Sequence, residues 1–284
     1  MSILNITNDF KVDESILIAT SKNFAHEFKN SKPCKHIKFE NFINNEILEK
    51  ILKDFAIMKK ESFTTYNRKQ EKNKKVHSPY ELSNFSLCFF NFLNSKIFIN
   101  FLENLTGIDG LIPDPYFTGG GIHEVANGGY LNIHADFNLH PKMKLERRIN
   151  LLIYLNKDWE NKYGGQFELW DSKMESMQHS FDPIFNRCII LNTTSYSHHG
   201  NPNPVNHPNN LSRLSIALYY YSATWNNTKK YHTTKFQIRP NTIDKYDWLF
   251  NFKLIIIDIT PPFFVRNFKK IGKQIKNFVS KKTK

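Results

Sequence analysis

Residues 128–137, Gly-Gly-Tyr-Leu-Asn-Ile-His-Ala-Asp-Phe, read as a β-strand with a histidine and an aspartate two positions apart. Side chains alternate faces along a strand, so residues i and i+2 project together. His134 and Asp136 therefore offer one imidazole nitrogen and one carboxylate to the same point. That is two-thirds of a 2-His-1-carboxylate set, the arrangement that leaves open positions on a non-haem Fe(II). Downstream, Ser197-His198-His199-Gly200-Asn201-Pro202 follows the apolar strand Cys188-Ile189-Ile190-Leu191. On chemistry alone, either His198 or His199 can supply the missing nitrogen. Further on lies Arg213-Leu214-Ser215-Ile216-Ala217-Leu218-Tyr219. Here Leu214, Ile216 and Leu218 share one strand face, and Arg213, Ser215 and Ala217 share the other. An arginine pointing into a barrel needs an anionic partner, because an unpaired buried charge is expensive. A dicarboxylate would meet that need through a bidentate pair.

These residues need a scaffold that brings distant strands together. After Asp109-Gly110 the chain breaks into short β-like runs separated by Gly, Pro and Asn: 121–125, 129–136, 147–156, 166–170, 187–192 and 211–221. No long helical pattern interrupts them, which predicts a mainly β (α+β) fold of the sandwich or jelly-roll type. Helices precede it. His36 to Phe42 alternates like a short strand, and Asn44 or Asn45 is placed to cap a helix whose stripe is Ile47, Leu48, Ile51, Leu52 and Phe55. Phe85 to Leu105 is helical and dense in Phe and Leu, with a break at Asn94-Ser95 and a stop at Thr106-Gly107. Those Phe residues read as core. Arg68 to Lys75 reads as a charged, solvated loop whose basic residues could alternatively face an anionic substrate.

This pattern divides the chain into an N-terminal extension (1–32), a main domain (33–240) and a C-terminal helical basic tail (241–284). Within the main domain, helices occupy 44–107 and the jelly-roll core about 110–221. The chain has 284 residues, 40% hydrophobic, with 25 Phe, which is ample for a packed core. Of the formal net charge of +13, eight basic residues with no acidic one fall between Arg266 and Lys284. The positive charge is thus largely a property of the tail, and no nucleic-acid module is visible. Phe264, Val265, Phe268, Ile271, Ile275, Phe278 and Val279 recur there at helical spacing with lysines opposite. Such a helix either packs on the domain or makes weak contact with a membrane surface or a partner. Cys34, Cys88 and Cys188 make neither a zinc spacing nor a disulfide framework. Asp9, Asp13 and Glu14 interrupt any secretory signal pattern. Both features point to a reducing, cytoplasmic setting.

The ordered set resembles the Fe(II)/2-oxoglutarate-dependent dioxygenases, and within them the prolyl 4-hydroxylase-like group. The resemblance covers roughly residues 33–221. It rests on His134-Ala135-Asp136, on the distal His199, on Arg213-x-Ser215, and on Tyr154-Leu155-Asn156-Lys157-Asp158-Trp159 followed by Gly164-Gly165. It implies a double-stranded β-helix (cupin-like jelly roll) with His134, Asp136 and His199 as iron ligands. His199 is favoured over His198 because the family's ligand stands next to the Gly-x-Pro turn. It further implies that Tyr154 and Arg213 hold the distal carboxylate of 2-oxoglutarate, with Ser215 assisting, and that O2 is the second cosubstrate. Ascorbate dependence is a family expectation. Family halogenases replace the carboxylate ligand, so Asp136 favours hydroxylation. The implied activity is hydroxylation of a C–H bond in a prolyl residue, an amino acid or another small molecule, with release of succinate and CO2. Asn150 shares the face of Tyr154 and is a candidate pocket residue. His123, His140, His179, His207 and His232 have no partner spacing that suggests a ligand. Two rival readings are a cupin-like metalloprotein that does not use 2-oxoglutarate and a non-catalytic jelly-roll binding module.

Overall fold

The computed structural model describes residues 2–58, 63–223, 232–244, 247 and 252. Four helices come early: α1 (Glu14–Asn30), α2 (Asn45–Ile57), α3 (Asn84–Leu93) and α4 (Lys96–Thr106). Strands β1 (His36–Phe39), β2 (Phe63–Arg68), β3 (Glu71–His77) and β4 (Ile112–Pro113) are interleaved with them. The remainder is β5 (Gly121–Ala135), β6 (Glu146–Tyr154), β7 (Phe167–Trp170), β8 (Met177–Phe181), β9 (Cys188–Asn192), β10 (His198–Asn201), β11 (Arg213–Ser222) and β12 (Lys235–Phe236). All named pairings are antiparallel, and the main path runs β1-β9-β6-β11-β5-β10-β7-β8. The result is a curled, jelly-roll-like sheet.

The curl is made in β5. Its first half, Gly121–Val125, pairs with β11 on one edge and β3 on the other, whereas Leu131 and His134 pair with β10. The direction changes at Gly128, which sits at φ +72°, and at Gly129, where a Cβ would lie 2.6 Å from Ala126 O and 2.9 Å from Lys72 O. Only glycine fits so close a backbone approach. The bend sets β11 and β10 opposite each other across one cavity.

Strand alternation sorts residues between that cavity and the helical layer. Ile149, Leu151 and Ile153 of β6, with Ile216, Leu218 and Tyr220 of β11, join the large core beneath the helices. The neighbours Asn150, Leu152, Ser215 and Tyr219 line the cavity instead. The phenylalanines of α3 and α4 are core, as their pattern predicts: Phe89, Phe90, Phe98 and Phe101 are fully buried. The break between these helices falls at Asn94-Ser95, and Gly107 closes α4 in the left-handed conformation.

Three expectations are corrected. Residues 1–32 are no mere extension: α1 is capped by Asp13, and Leu4, Ile6, Leu17 and Phe28 lie in the main core. Their spacing is too sparse to register as an amphipathic stripe. Asn44 does precede α2, but its Oδ1 accepts from Ile6 N (2.8 Å) rather than capping the helix. The charged stretch 68–75 is the turn and second strand of the β2–β3 hairpin, with Glu71 and Lys74 buried. Strands β8 and β10 were not anticipated as strands. The basic tail lies outside the described residues. All three cysteines are free, and no single described helix is long and apolar enough to cross a membrane.

Leu151 sits at the centre of the sheet–helix core with no exposed surface. Leu151→Ala is expected to cost about 2–5 kcal/mol, seen as a lower midpoint in urea unfolding. An unchanged midpoint would contradict this placement of the core.

Candidate metal centre and cosubstrate pocket

His134 on β5 and His199 on β10 stand directly opposite in the antiparallel register, with ring centroids 4.6 Å apart. The same device fixes both rings. His134 Nδ1 lies 2.9 Å from Asn132 O, and His199 Nδ1 lies 2.9 Å from Ser197 O. A carbonyl can only accept, so each Nδ1 carries the proton and each Nε2 presents a lone pair. Both lone pairs face the Asp136 carboxylate, His134 Nε2 at 3.5 Å and His199 Nε2 at 3.2 Å. One ligand atom from each of the three residues lies within 4.8 Å of the others. Burial holds His134 below the ordinary imidazole pKa, despite the opposing pull of Asp136. Two imidazole Nε2 atoms and a carboxylate are turned toward one point in a buried cavity. The donor set fits a divalent transition metal.

The carboxylate is held from behind. Asp136 Oδ2 accepts from Asn150 Nδ2 (2.7 Å) and pairs with Arg147 Nη2 (3.1 Å). Burial acts to raise the Asp136 pKa, but the charge of Arg147 beside it outweighs this and keeps the group well below the usual carboxylate range. Arg147 is itself fixed between the rings of Phe137 and Tyr219, 4.6 Å and 3.5 Å from their centroids, and donates to Asn150 Oδ1 at 2.8 Å. Thr193 Oγ1 donates to the same oxygen at 3.1 Å. Asn150 thus serves as the hub behind Asp136 rather than as a bare pocket residue. Arg147 gave no motif signal in the sequence, and its role depends on the β5–β6 geometry.

Across the cavity, Arg213 of β11 is 4% exposed and has no carboxylate partner among the described residues. Its Nε donates to Gly165 O (2.8 Å), its Nη2 donates to Tyr154 Oη (3.3 Å), and the guanidinium lies 4.9 Å from the Tyr154 ring centroid. Burial pushes the Tyr154 phenol up to about 12, so it stays protonated and able to donate. Ser215 is opposite Tyr154 in register and lines the same cavity. Arg213 thus presents its guanidinium to the cavity, while Tyr154, fully buried and not lining it, meets Arg213 from behind.

The remaining motif residues position Arg213 without lining the cavity. Asn156 Oδ1 accepts from Leu214 N (2.6 Å), while its Nδ2 donates to Leu214 O (3.0 Å) and Pro183 O (2.7 Å), which clamps the start of β11. Trp159 Nε1 donates to Gly164 O at 3.1 Å. Gly165 lies at φ +70°, and a Cβ there would come within 2.8 Å of Arg213 Cδ.

The other histidines separate clearly. His198 alternates away from the cavity, its Nδ1 3.3 Å from Asp171 O. His123 lines the cavity but is not in the ligand cluster, with Nε2 2.8 Å from Gly119 O; burial lowers its pKa to about 3, so it is neutral. His140 is buried against Asp114 and Thr118. His179 contacts Lys32 O, His207 packs on Trp159 and Tyr163, and His232 bonds Ser195. One further cavity residue is Lys74 of β3, from the charged stretch 68–75 that reads either as a solvated loop or as facing an anionic substrate.

Residues 120–221 match the family model of the 2OG-Fe(II) oxygenase superfamily. No curated protein matches the chain. Among solved structures, it is similar to a Trichoplax adhaerens prolyl hydroxylase in complex with a hypoxia inducible factor peptide fragment. That likeness has a TM-score of 0.56 at 16% identity and covers 73% of this chain and 91% of that one. A Pseudomonas putida prolyl-4-hydroxylase aligns with a TM-score of 0.51 at 12% identity over 72% of this chain and 100% of that one. HygX from Streptomyces hygroscopicus, solved with nickel and 2-oxoglutarate bound, aligns with a TM-score of 0.51 at 9% identity over 76% and 96%. At these identities the structures speak for the fold, and the family match speaks for the segment that carries all six expected site residues. Over residues 120–221 the chain thus resembles a 2OG-Fe(II) oxygenase in both sequence and fold.

Proposed function

We propose that the protein hydroxylates a C–H bond of a prolyl residue, an amino acid or another small molecule as an Fe(II)- and 2-oxoglutarate-dependent dioxygenase. In this reading His134, Asp136 and His199 hold the metal, and Arg213, backed by Tyr154, holds the distal carboxylate of the cosubstrate. The observation that carries it is the pairing, in one cavity, of three converging lone-pair donors with a buried arginine that has no carboxylate partner among the described residues. Fe(II) held there with 2-oxoglutarate and O2 supplies the oxidising chemistry, which releases succinate and CO2 as the C–H bond is hydroxylated.

The chain's own contribution is geometric and electrostatic. Register and the two backbone hydrogen bonds aim both Nε2 atoms. Arg147 and Asn150 keep Asp136 ionised and oriented. Arg213, backed by Tyr154, sets how deep a dicarboxylate enters, and the apolar wall of Leu131, Leu152 and Phe167 limits water. A prolyl substrate is favoured by the likeness to two prolyl hydroxylases, one of them solved with a peptide. The cupin-like rival gives Arg213 no carboxylate to pair with, and the non-catalytic rival gives the converging triad no role.

Anaerobic titration with Fe(II) and then 2-oxoglutarate is expected to produce a visible charge-transfer band that needs both components. His134→Ala should abolish it, and Arg213→Ala should retain metal but lose most 2-oxoglutarate affinity. Iron uptake with no effect of 2-oxoglutarate would favour the cupin-like rival, and no uptake of either would favour a binding module. Succinate release with a prolyl peptide, compared with the same peptide lacking proline, then tests the substrate class.

The support behind Asp136 gives a separate expectation. Asn150→Ala removes the 2.7 Å bond to Asp136 and the acceptor for Arg147 and Thr193. It should weaken Mn(II) binding by roughly 10–100-fold in a competition titration while the far-UV circular dichroism is unchanged. Wild-type affinity would show that Arg147 alone suffices to hold the carboxylate.

A further inference from the structure

The cavity contains a second cation placed to meet the cosubstrate. Lys74 is 9% exposed and lines the same cavity as His134, Asp136 and Arg213. Strands β3 and β11 flank β5, and both Lys74 and Arg213 stand opposite Val125 in register. The two cations therefore stand in one row on the same face of the sheet, on either side of Val125, and both line the cavity. Asp136 and Arg147 line the same cavity, and the Asp136 charge acts on Lys74 as well.

The Lys74 ammonium is poorly satisfied where it stands. Among the described residues its sole hydrogen-bond acceptor is Glu71 Oε1, at 3.4 Å, near the limit for such a bond. It also lies 4.9 Å from the Tyr66 ring centroid. An ammonium has three N–H donors, so two remain without an acceptor. A buried charge in that state costs free energy that a second anion would recover. Glu71 is buried as well, so the pair is a weakly joined ion pair at the cavity wall rather than a solvated surface contact.

We propose that Lys74 is a second anchor for 2-oxoglutarate, sharing its distal carboxylate with Arg213 and loosening from Glu71 when the cosubstrate enters. This rests on the cosubstrate reading given above. The distal carboxylate is assigned because Lys74 shares a row with Arg213. Glu71 then acts as a placeholder that keeps the ammonium paired in the empty cavity.

The test uses the Fe(II) protein under anaerobic conditions, titrated with 2-oxoglutarate and with 2-oxovalerate, which has the same chain length but no distal carboxylate. The charge-transfer band is the readout. Lys74→Met is expected to raise the dissociation constant for 2-oxoglutarate by about tenfold or more and to leave that for 2-oxovalerate unchanged. Lys74→Arg should restore most of the preference. Glu71→Gln, which removes the competing anion, should tighten 2-oxoglutarate severalfold and gives an independent reading if Lys74→Met does not fold. An unmoved 2-oxoglutarate constant in Lys74→Met, equal weakening of both oxo acids, or unaltered binding in Glu71→Gln overturns the assignment. A wild-type protein that develops no band, or shows no preference between the two oxo acids, overturns the cosubstrate reading itself, and the Lys74 assignment with it.

Discussion

The constraint behind the rest of this structure is that the Asp136 carboxylate is ionised in a place almost without water. Burial opposes its charge, and two imidazole lone pairs face it. An isolated charge so placed would protonate or draw water inward. The fold answers with Arg147 and Asn150 from the neighbouring strand, and these need partners in turn. Phe137 and Tyr219 stack on Arg147, and Thr193 steadies Asn150. The polar layer therefore extends from β5 through β6 to the segment after β9. Each member is satisfied by the next, which is the condition under which a buried polar network rigidifies a site.

The apolar side of the sheet makes that layer affordable. Residues of β6 and β11 alternate between the helical core and the cavity, so each hydrogen-bonded strand carries both the packing and the chemistry. Ile153 lies beneath the helices while Tyr154 faces Arg213, and Ile216 is buried while Ser215 lines the cavity. A shift of one residue in either strand would exchange the two sets. Asn156 guards against that shift near Arg213, since its side chain bonds both the N–H and the C=O of Leu214. The conspicuous Asn and Gly-Gly of this stretch thus act on Arg213 through the backbone and through close approach.

Much of this was legible in the sequence because it is local. His134 and Asp136 share a face by strand periodicity, and the inward face of β11 follows from the alternation around Arg213. The paired helices α3 and α4 announce themselves by their Phe and Leu spacing and by Gly107. What could not be read depends on distant partners. His198 and His199 differ only in which faces the cavity, and that is set by the pairing of β10 between β5 and β7. Lys74 and Glu71 resemble ordinary hairpin charges until β3 is paired with β5. Arg147 lies in a basic, unremarkable run whose neighbour Arg148 bonds Ser222 instead. Helix α1 is polar over most of its length, and only a few large residues attach it to the core.

Charge is what ties the unread residues to the read ones. Of the ionised side chains lining the cavity, Lys74, Arg147 and Arg213 are cationic and Asp136 is anionic. A divalent metal adds two positive charges, a dianionic oxo acid removes two, and Glu71 offsets a third beside Lys74. One net positive charge remains, and Arg147, although paired with Asp136, lines both this cavity and a neighbouring groove of about 430 Å³. That groove is lined by Asn138, Asn192, Thr194, Ser195 and Tyr196 together with the charged Glu146, Arg148 and Lys235, so it offers both hydrogen bonds and charge. The cation surplus is thus arranged in two places with different neighbours. Lys74 and Arg213 are both buried on either side of Val125, where a small dianion is desolvated. Arg147 stands at the boundary with the polar groove, where it can hold Asp136 on one side and meet hydrogen-bond acceptors on the other.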